Sequence, residues 1–312
     1  MNPAPSPPTA FIGCDVGKAT IAVFDSRSGR STVIANRPEA LARFAATLDG
    51  SCLVICETTG GYEAQLLDAL AQAGRAVHRA DARRVKAFIR SLGRLGKSDA
   101  IDARALARYG QERHTGLARW QPVSAERDRL HALVMTRRDL VAARTAWSNR
   151  LAAPGGEQAA KFLDAVIGCI ETQLAVIDAD IATLIEASEQ LARRVRCLRG
   201  ISGIGARTAA ALVALMPELG SLDRRQCAAL AGLAPHPQQS GQRDGYRRVH
   251  GGRPEIKRLL FMAAMSAVRY HPRLRDFYCR LRQNGKKPLV ALVAAMRKLI
   301  VICNATLRAN AM

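Results

Sequence analysis

Four carboxylates stand out in a chain otherwise rich in cations. Asp15 sits inside the apolar stretch FIGCDVGKATIAVF, Glu57 closes the apolar run SCLVICE, and Asp99 and Asp102 open SDAIDARALARY. Acidic residues are disfavoured in strands, so carboxylates at the first two positions call for a reason. Asp15 reads either as a solvent-facing residue of a half-buried strand or as part of a shared site at the centre of a sheet, and Glu57 reads the same two ways. Asp99 and Asp102, three apart, lie on one helix face; Asp99 also reads as a simple helix cap. If the four converge, their mutual repulsion needs a compensating cation, and an all-oxygen donor set suits Mg²⁺ or Mn²⁺. Two such ions can clamp the attacking and leaving oxygens of a phosphodiester.

A second group of candidates lies near the C-terminus. The segment LAGLAPHPQQSGQRDGYRRVHGGRPEIKR carries Arg243, Arg247, Arg248, Arg253, Lys257 and Arg258, together with His250 and a single serine, Ser240, followed by Gly241. A serine beside a glycine on a basic loop can approach a phosphorus closely, but no His or Asp base stands in register to activate it. A turn serine is the simpler local reading. Upstream, RGISGIGARTAAAL places Gly203 and Gly205 in a tight turn between two helical stretches, ahead of Arg207. Outward-facing N–H groups at the start of the second helix would bind phosphate, as in a helix-hairpin-helix element. The same glycines also read as a packing corner that permits close approach. The eight cysteines show neither a CxxC pair nor a His at zinc-finger spacing, and Cys52 with Cys56 would lack two zinc ligands. They read as reduced, mostly buried thiols.

The scaffold for these groups is a chain of 312 residues, 48% hydrophobic, with Lys+Arg 47 against Asp+Glu 26 and a formal net charge of +21. That length suits about two domains and, with this apolar fraction, excludes wholesale disorder. The excess is uneven: 15 basic less 10 acidic residues over 1–110, 13 less 11 over 111–200, and 19 less 5 over 201–312. A basic surface of this kind neutralises phosphates, although a merely soluble basic surface has the same composition. Aromatic residues make up only 4%, which excludes base stacking as the main device. The most apolar stretch, PLVALVAAMRKLIVICNA, is broken by Arg297 and Lys298, so neither a membrane span nor a membrane partner is expected. Residues 1–10, MNPAPSPPTA, read as a flexible lead-in rather than a secretory signal, which leads to the expectation of a cytoplasmic, nucleoid-associated protein.

Hydropathy patterning organises the rest. Phe11 to Phe24 reads as strand, turn and strand, and STVIANR as a third strand; Pro38–Leu48 has helical spacing, SCLVICE is a buried strand, Tyr62–Ala73 a helix and AVHRA a strand. The order βββαβαβ followed by helices predicts an α/β domain over 11–120. Near-neutral charge and helical spacing, with a break at AAPGGE, predict a long helical hairpin over 121–197, read as a spacer or oligomerisation arm. A third, mostly helical domain with a serine loop is expected over 198–312.

Taken in order, CDVGK, ETTGGY, KSDAIDA, GISGIG and GLAPHPQQSG…GGR resemble the DEDD-type insertion-sequence transposases, relatives of the Piv-type DNA invertases and described as bridge-RNA-guided recombinases. The resemblance spans nearly the whole chain. It implies a RuvC-like, ribonuclease-H-fold N-terminal domain in which Asp15, Glu57, Asp99 and Asp102 bind Mg²⁺ or Mn²⁺, and a C-terminal transposase domain with Ser240 as nucleophile. It further implies a covalent phosphoserine link to DNA, a metal site contributed by a partner subunit, and a homo-oligomer, dimer or tetramer. A structured non-coding bridge RNA would pair with target and donor DNA. Gly203, Gly205, Arg207, Arg243, Arg247, Arg248, Arg253 and Lys257 are the expected nucleic-acid contacts. Two rival readings stay open: a RuvC-like Holliday-junction resolvase that uses water, and a non-catalytic nucleic-acid-binding remnant.

Overall fold

The computed structural model of the chain describes residues 7–93, 99–240 and 243–310, with backbone alone at Ala100, 238–240 and 243–246. The chain divides into two compact units, Met1–Val123 and Ser124–Met312.

In the first unit, β1 (Ala10–Val16), β2 (Thr20–Asp25) and β3 (Ser31–Ala35) form an antiparallel meander. Then follow α1 (Pro38–Thr47), β4 (Cys52–Glu57), α2 (Ala64–Gln72), β5 (Ala76–Ala80), α3 (Ala82–Ser91) and α4 (Asp99–Arg113). The sheet order is β3-β2-β1-β4-β5, with β1, β4 and β5 parallel. Because β1 and β4 are covered on both faces, they read as near-continuous apolar runs rather than as alternating ones. Ile12, Cys14, Val54 and Cys56 point into one core with Leu41 of α1 and Leu66 and Leu70 of α2. Phe11, Leu53 and Ile55 point the other way, into a core with Val85 and Phe88 of α3 and Leu106 and Tyr109 of α4. This is the α/β layout expected of the N-terminal half.

The second unit is mostly helical. It contains α5 (Ala125–Leu151), α6 (Ala160–Ala187), α7 (Glu189–Arg199), α8 (Ala206–Leu215) and α9 (Arg224–Leu230). Then come β6 (Pro235–Ser240), β7 (Arg243–Val249), α10 (Pro254–Tyr270), α11 (Pro272–Gln283) and α12 (Pro288–Ala309). The break between α5 and α6 falls at AAPGGE, where Gly155 takes a φ of 84°. Leu130 and Val134 of α5 and Ile177 and Ile181 of α6 share one core with Leu198, Leu212, Leu260 and Ile300. By length and composition alone, α12 is long and apolar enough to cross a membrane. It buries Ala291, Ala295, Leu299, Ile300 and Cys303 within the unit and carries Arg297 and Lys298 at mid-length.

Where the sequence reads as a serine loop, the chain instead forms a two-stranded ribbon. β6 and β7 pair antiparallel from Pro235↔Val249 at the base to Ser240↔Arg243. Pro237 lacks an N–H and falls where the register shifts between His236 and Gln238.

Candidate active site

Strand register sets the first pair of carboxylates. Gly13 pairs with Ile55 and Cys14 with Cys56 across the parallel β1–β4 ladder, so one step further Asp15 stands beside Glu57, on strands about 4.8 Å apart. Side chains alternate along a strand, so both carboxylates share the face of Phe11, Leu53 and Ile55, the face that α4 covers. Both residues are half-buried and sit at the carboxyl ends of their strands, the edge at which open α/β sheets place their chemistry.

Two glycines fix how α4 crosses that face. A Cβ on Gly110 would lie 2.2 Å from Ile55 Cδ1 and 3.2 Å from Phe11 Cδ1. A Cβ on Gly13 would lie 1.9 Å from the carbonyl oxygen of Ala103 and 2.6 Å from the nitrogen of Ala107. The helix therefore runs antiparallel to β1, with residue 110 over position 11 and residues 103–107 over position 13. Its first turn, carrying Asp99 and Asp102, is directed to the Asp15–Glu57 end. The positive end of the α4 dipole faces the same edge and favours carboxylates there. Lys97 and Ser98 of the KSDAIDA motif lie outside the described residues.

All four side chains are carboxylates, a hard-oxygen set that would suit Mg²⁺ or Mn²⁺ by its chemistry. Among the described residues, no group of three or more His, Cys, Asp and Glu stands close enough to hold an ion. The fold thus brings two pairs of carboxylates toward one edge without closing a coordination shell around a point.

A residue that sequence reasoning missed shapes this edge. Glu63 is 1% exposed. Its Oε2 accepts from Thr59 N (3.2 Å), Thr59 Oγ1 (3.0 Å) and Gly61 N (3.0 Å), which folds the ETTGGY loop directly after Glu57. Its Oε1 accepts from Arg79 Nε (3.0 Å) and Nη2 (2.6 Å) on β5. Burial pushes the Glu63 carboxyl up, but the backbone N–H groups and Arg79 together hold it below the ordinary glutamate value. Asn36 Nδ2 donates to the carbonyls of Gly17 and Tyr62, joining the turn after β1 to the same loop. The only sequence signal was a second glutamate six residues after the first, inside a glycine-containing loop. Behind the edge, burial pushes the Cys56 thiol up to about 12 and raises Cys14 as well, so both stay protonated and take no nucleophilic part.

In the second unit, Ser240 ends β6 opposite Arg243; the structure gives their backbone positions only, and Gly241 lies outside the described residues. The base of this ribbon is clamped backbone against backbone. A Cβ on Gly252 would lie 2.2 Å from the nitrogen of Gly232, and one on Gly232 would lie 2.4 Å from the carbonyl oxygen of Gly251. All three glycines have positive φ. The GLAP and GGR ends of the serine segment are thus the two halves of one clamp. His236 and His250 stack beside it, ring centroids 4.1 Å apart.

The expected nucleic-acid contacts fare differently. Arg247 and Arg248 are exposed on β7, Lys257 is half-buried on α10, and of the Arg243 side chain nothing is described. Arg207 is exposed at the start of α8, where it meets Asp178 at 2.9 Å. Gly205 precedes α8 with open space around it, whereas Gly203 packs its Cα face on Ala267 of α10, as a packing corner does. Arg253 is partly buried. Its guanidinium donates to both carboxylate oxygens of Glu218 (2.9 and 2.6 Å) and to the carbonyl of Leu215 (2.9 Å), so both terminal nitrogens are engaged within the fold.

Comparison with known proteins adds an independent line. Residues 195–279 match the family model described as "Transposase IS116/IS110/IS902 family", and residues 12–153 match a DEDD transposase model of the IS110 type. The chain is 32% identical over 269 residues to the pilin gene-inverting protein of Moraxella lacunata, covering 82% of this chain and 80% of that one. The Moraxella bovis protein of the same name matches to the same extent. An insertion element IS110 protein of 43.6 kDa from Streptomyces coelicolor is 31% identical over 141 residues, 45% of this chain and 34% of that one. Among solved structures, Thermus thermophilus RuvC aligns with 36% of this chain and 100% of its own, at 16% identity and a TM-score of 0.27. The chain belongs to the IS116/IS110/IS902 family of DEDD transposases, enzymes of DNA transposition and recombination related to the pilin gene-inverting proteins.

Proposed function

We propose that this transposase cuts and rejoins DNA through a phosphoserine intermediate on Ser240, with Asp15, Glu57, Asp99 and Asp102 holding Mg²⁺ or Mn²⁺. The observation that carries the reading is the crossing of α4 over Gly13, which directs one pair of carboxylates to the strand edge where the other pair ends. Bound there, a divalent ion supplies Lewis-acid stabilisation of charge on phosphate oxygens. Ser240 Oγ attacks phosphorus and gives up its proton; the Oγ–P bond forms as the bond to one deoxyribose oxygen breaks, and that oxygen takes up a proton. A deoxyribose hydroxyl of the exchanged strand reverses the step, breaking the Oγ–P bond and restoring the serine. The family resemblance supports further parts of the reading: a bridge RNA that selects donor and target DNA by base pairing, a homo-oligomer whose subunits share the chemistry, and action inside a bacterial cell. Phosphate contacts from Gly205, Arg207, Arg243, Arg247, Arg248 and Lys257 serve that reading, because base pairing relieves the protein of reading base edges.

Wild type and Ser240→Ala incubated with the element's flanking DNA and its RNA, isolated under denaturing conditions and analysed by mass spectrometry, test the chemistry. A nucleotide adduct on the Ser240 peptide of wild type, absent from the variant, is the expected result. Cut DNA from both proteins without an adduct points to water as nucleophile and to resolvase-type cleavage. Binding without products from either points to a non-catalytic remnant. Asp15→Ala and Asp102→Ala are expected to lose strand transfer and keep RNA binding; a variant that recombines normally removes its residue from the metal set.

A further inference from the structure

The charge count places the cationic excess near the C-terminus, yet the first unit carries a concentrated basic face of its own. The helix α3, ARRVKAFIRS, buries Val85 and Phe88 and exposes Arg83, Arg84, Lys86 and Arg90. No acidic residue interrupts it, and no ion pair among the described residues engages these four cations. Asp81 is spent as the helix cap, accepting from the backbone nitrogens of Arg83 and Arg84. Arg83, Lys86 and Arg90 form a stripe at three- and four-residue spacing, about 10 Å long at 1.5 Å per residue. That length matches about three nucleotide steps of one strand of duplex DNA. Arg84 lies one position over and lines a groove of about 520 Å³ with Ser91, Tyr109 and Arg113.

The position of α3 gives the stripe its meaning. β1, β4 and β5 are parallel, so α3 leaves β5 at the same edge at which Asp15 and Glu57 end their strands. Thr58, directly after Glu57, donates its N–H to the carbonyl of Ala80, two residues before α3 begins. The basic stripe therefore starts at the carboxylate edge and leads away from it. We infer that the outer face of α3 tracks the backbone of the DNA strand being cut, with Arg83, Lys86 and Arg90 each on a phosphate within about three nucleotide steps. The inference rests on the proposed function, since a strand that presents a phosphodiester to the carboxylates must continue past that edge, and the reacting strand is DNA. Phe88 and Tyr109, the aromatic residues that line the groove, are both buried in the core and offer no open face, so the contact is to phosphates rather than to stacked bases.

The test uses the full chain and a triple variant, Arg83→Gln, Lys86→Gln and Arg90→Gln. Glutamine keeps helix propensity, and all three side chains are exposed, so circular dichroism and Tm should not change. Binding to a labelled duplex of the element end with its flank, and separately to the element RNA, is measured by anisotropy between about 50 and 200 mM KCl. The expected result is a DNA slope of log K against log [KCl] smaller by about 2.7, from three contacts at 0.9 each, with the RNA slope unchanged. The charge-keeping variant Arg83→Lys, Lys86→Arg, Arg90→Lys should bind as wild type. An unchanged DNA slope, or a loss confined to RNA, overturns the inference. If the Ser240 adduct is missing from wild type while the DNA slope still falls, the serine chemistry fails and the α3 contact stands.

Discussion

Gly13→Ala tests whether the close crossing of α4 sets the carboxylate edge. The added Cβ would lie 1.9 Å from the Ala103 carbonyl oxygen, whereas ordinary contact begins at 3.4 Å. The opposing atom is helix backbone, so no side chain can swing away, and α4 must lift by about 1.5 Å to restore contact distance. Overpacking of this kind costs about 3 kcal/mol, the upper end of its usual range. For a unit of this size that lowers Tm by roughly 10 °C. The same lift moves Asp99 and Asp102 relative to Asp15 and Glu57, and a displacement on the order of 1 Å at reacting groups costs roughly 10²-fold in rate. The assay is strand exchange on a supercoiled substrate at a temperature where the variant is folded, with calorimetry alongside. Gly168→Ala in α6, whose Cβ meets nothing within 4 Å, is the control and should match wild type or gain up to about 1 kcal/mol. A Gly13→Ala protein with lowered Tm but wild-type exchange would refute the claim that α4 positions the carboxylates proposed to hold the metal. One with wild-type Tm would refute the crossing itself.

Three other predictions concern groups of different kinds. Because the Glu63 carboxyl is held below its ordinary value of 4.5, its contribution to stability is complete above that pH and is lost as pH falls through the lower folded value. Glu63→Gln should flatten the acid limb of a Tm–pH profile, and an acid limb identical to wild type would remove Glu63 from it. Arg253→Ala should lower the Tm of the second unit by the equivalent of about 1 kcal/mol, since the Glu218 pair is a third exposed, and leave the salt slope of DNA binding unchanged. A slope reduced by about one unit at constant Tm would return Arg253 to the phosphate surface. Under native conditions a thiol-alkylating reagent should label Cys169 and Cys279 first, with Cys14, Cys52, Cys56, Cys227 and Cys303 protected until unfolding. Early labelling of Cys56 would show that the carboxylate edge opens in solution.

Much of the first unit is legible in the sequence because its signals are local. The apolar runs of β1 and β4, the glycine punctuation between strands and the helical spacing of α1 and α2 all lie within short windows. Gly13, a glycine in mid-strand, carries a sign of close backbone approach that the strand pattern alone passes over. Partnership across the fold is a different matter. Nothing in the text near Arg253 says that Glu218, 35 residues earlier, will take its guanidinium. Nothing near Glu63 says that Arg79 and two loop N–H groups converge on it. The β6–β7 ribbon reads as a loop because PHPQQS and RDGYRRV lack alternating apolar residues. It forms because glycines far apart in sequence meet at its base, and pattern-based reading is blind to such a meeting. The basic face of α3 is hidden by averaging, since its four cations vanish into a regional excess of only 15 against 10 over residues 1–110.

The glycine clamp also makes the ribbon a lever. Ser240 is five residues from Pro235, roughly 17 Å along an extended strand. A tilt of about 5° at the fulcrum formed by Gly232, Gly251 and Gly252 would displace the serine by about 1.5 Å, enough to spoil the in-line attack on phosphorus proposed for it. With backbone atoms alone at the fulcrum, no rotamer change can absorb such a tilt. Substitutions at the clamp should therefore act on the proposed serine chemistry at the far end without touching it.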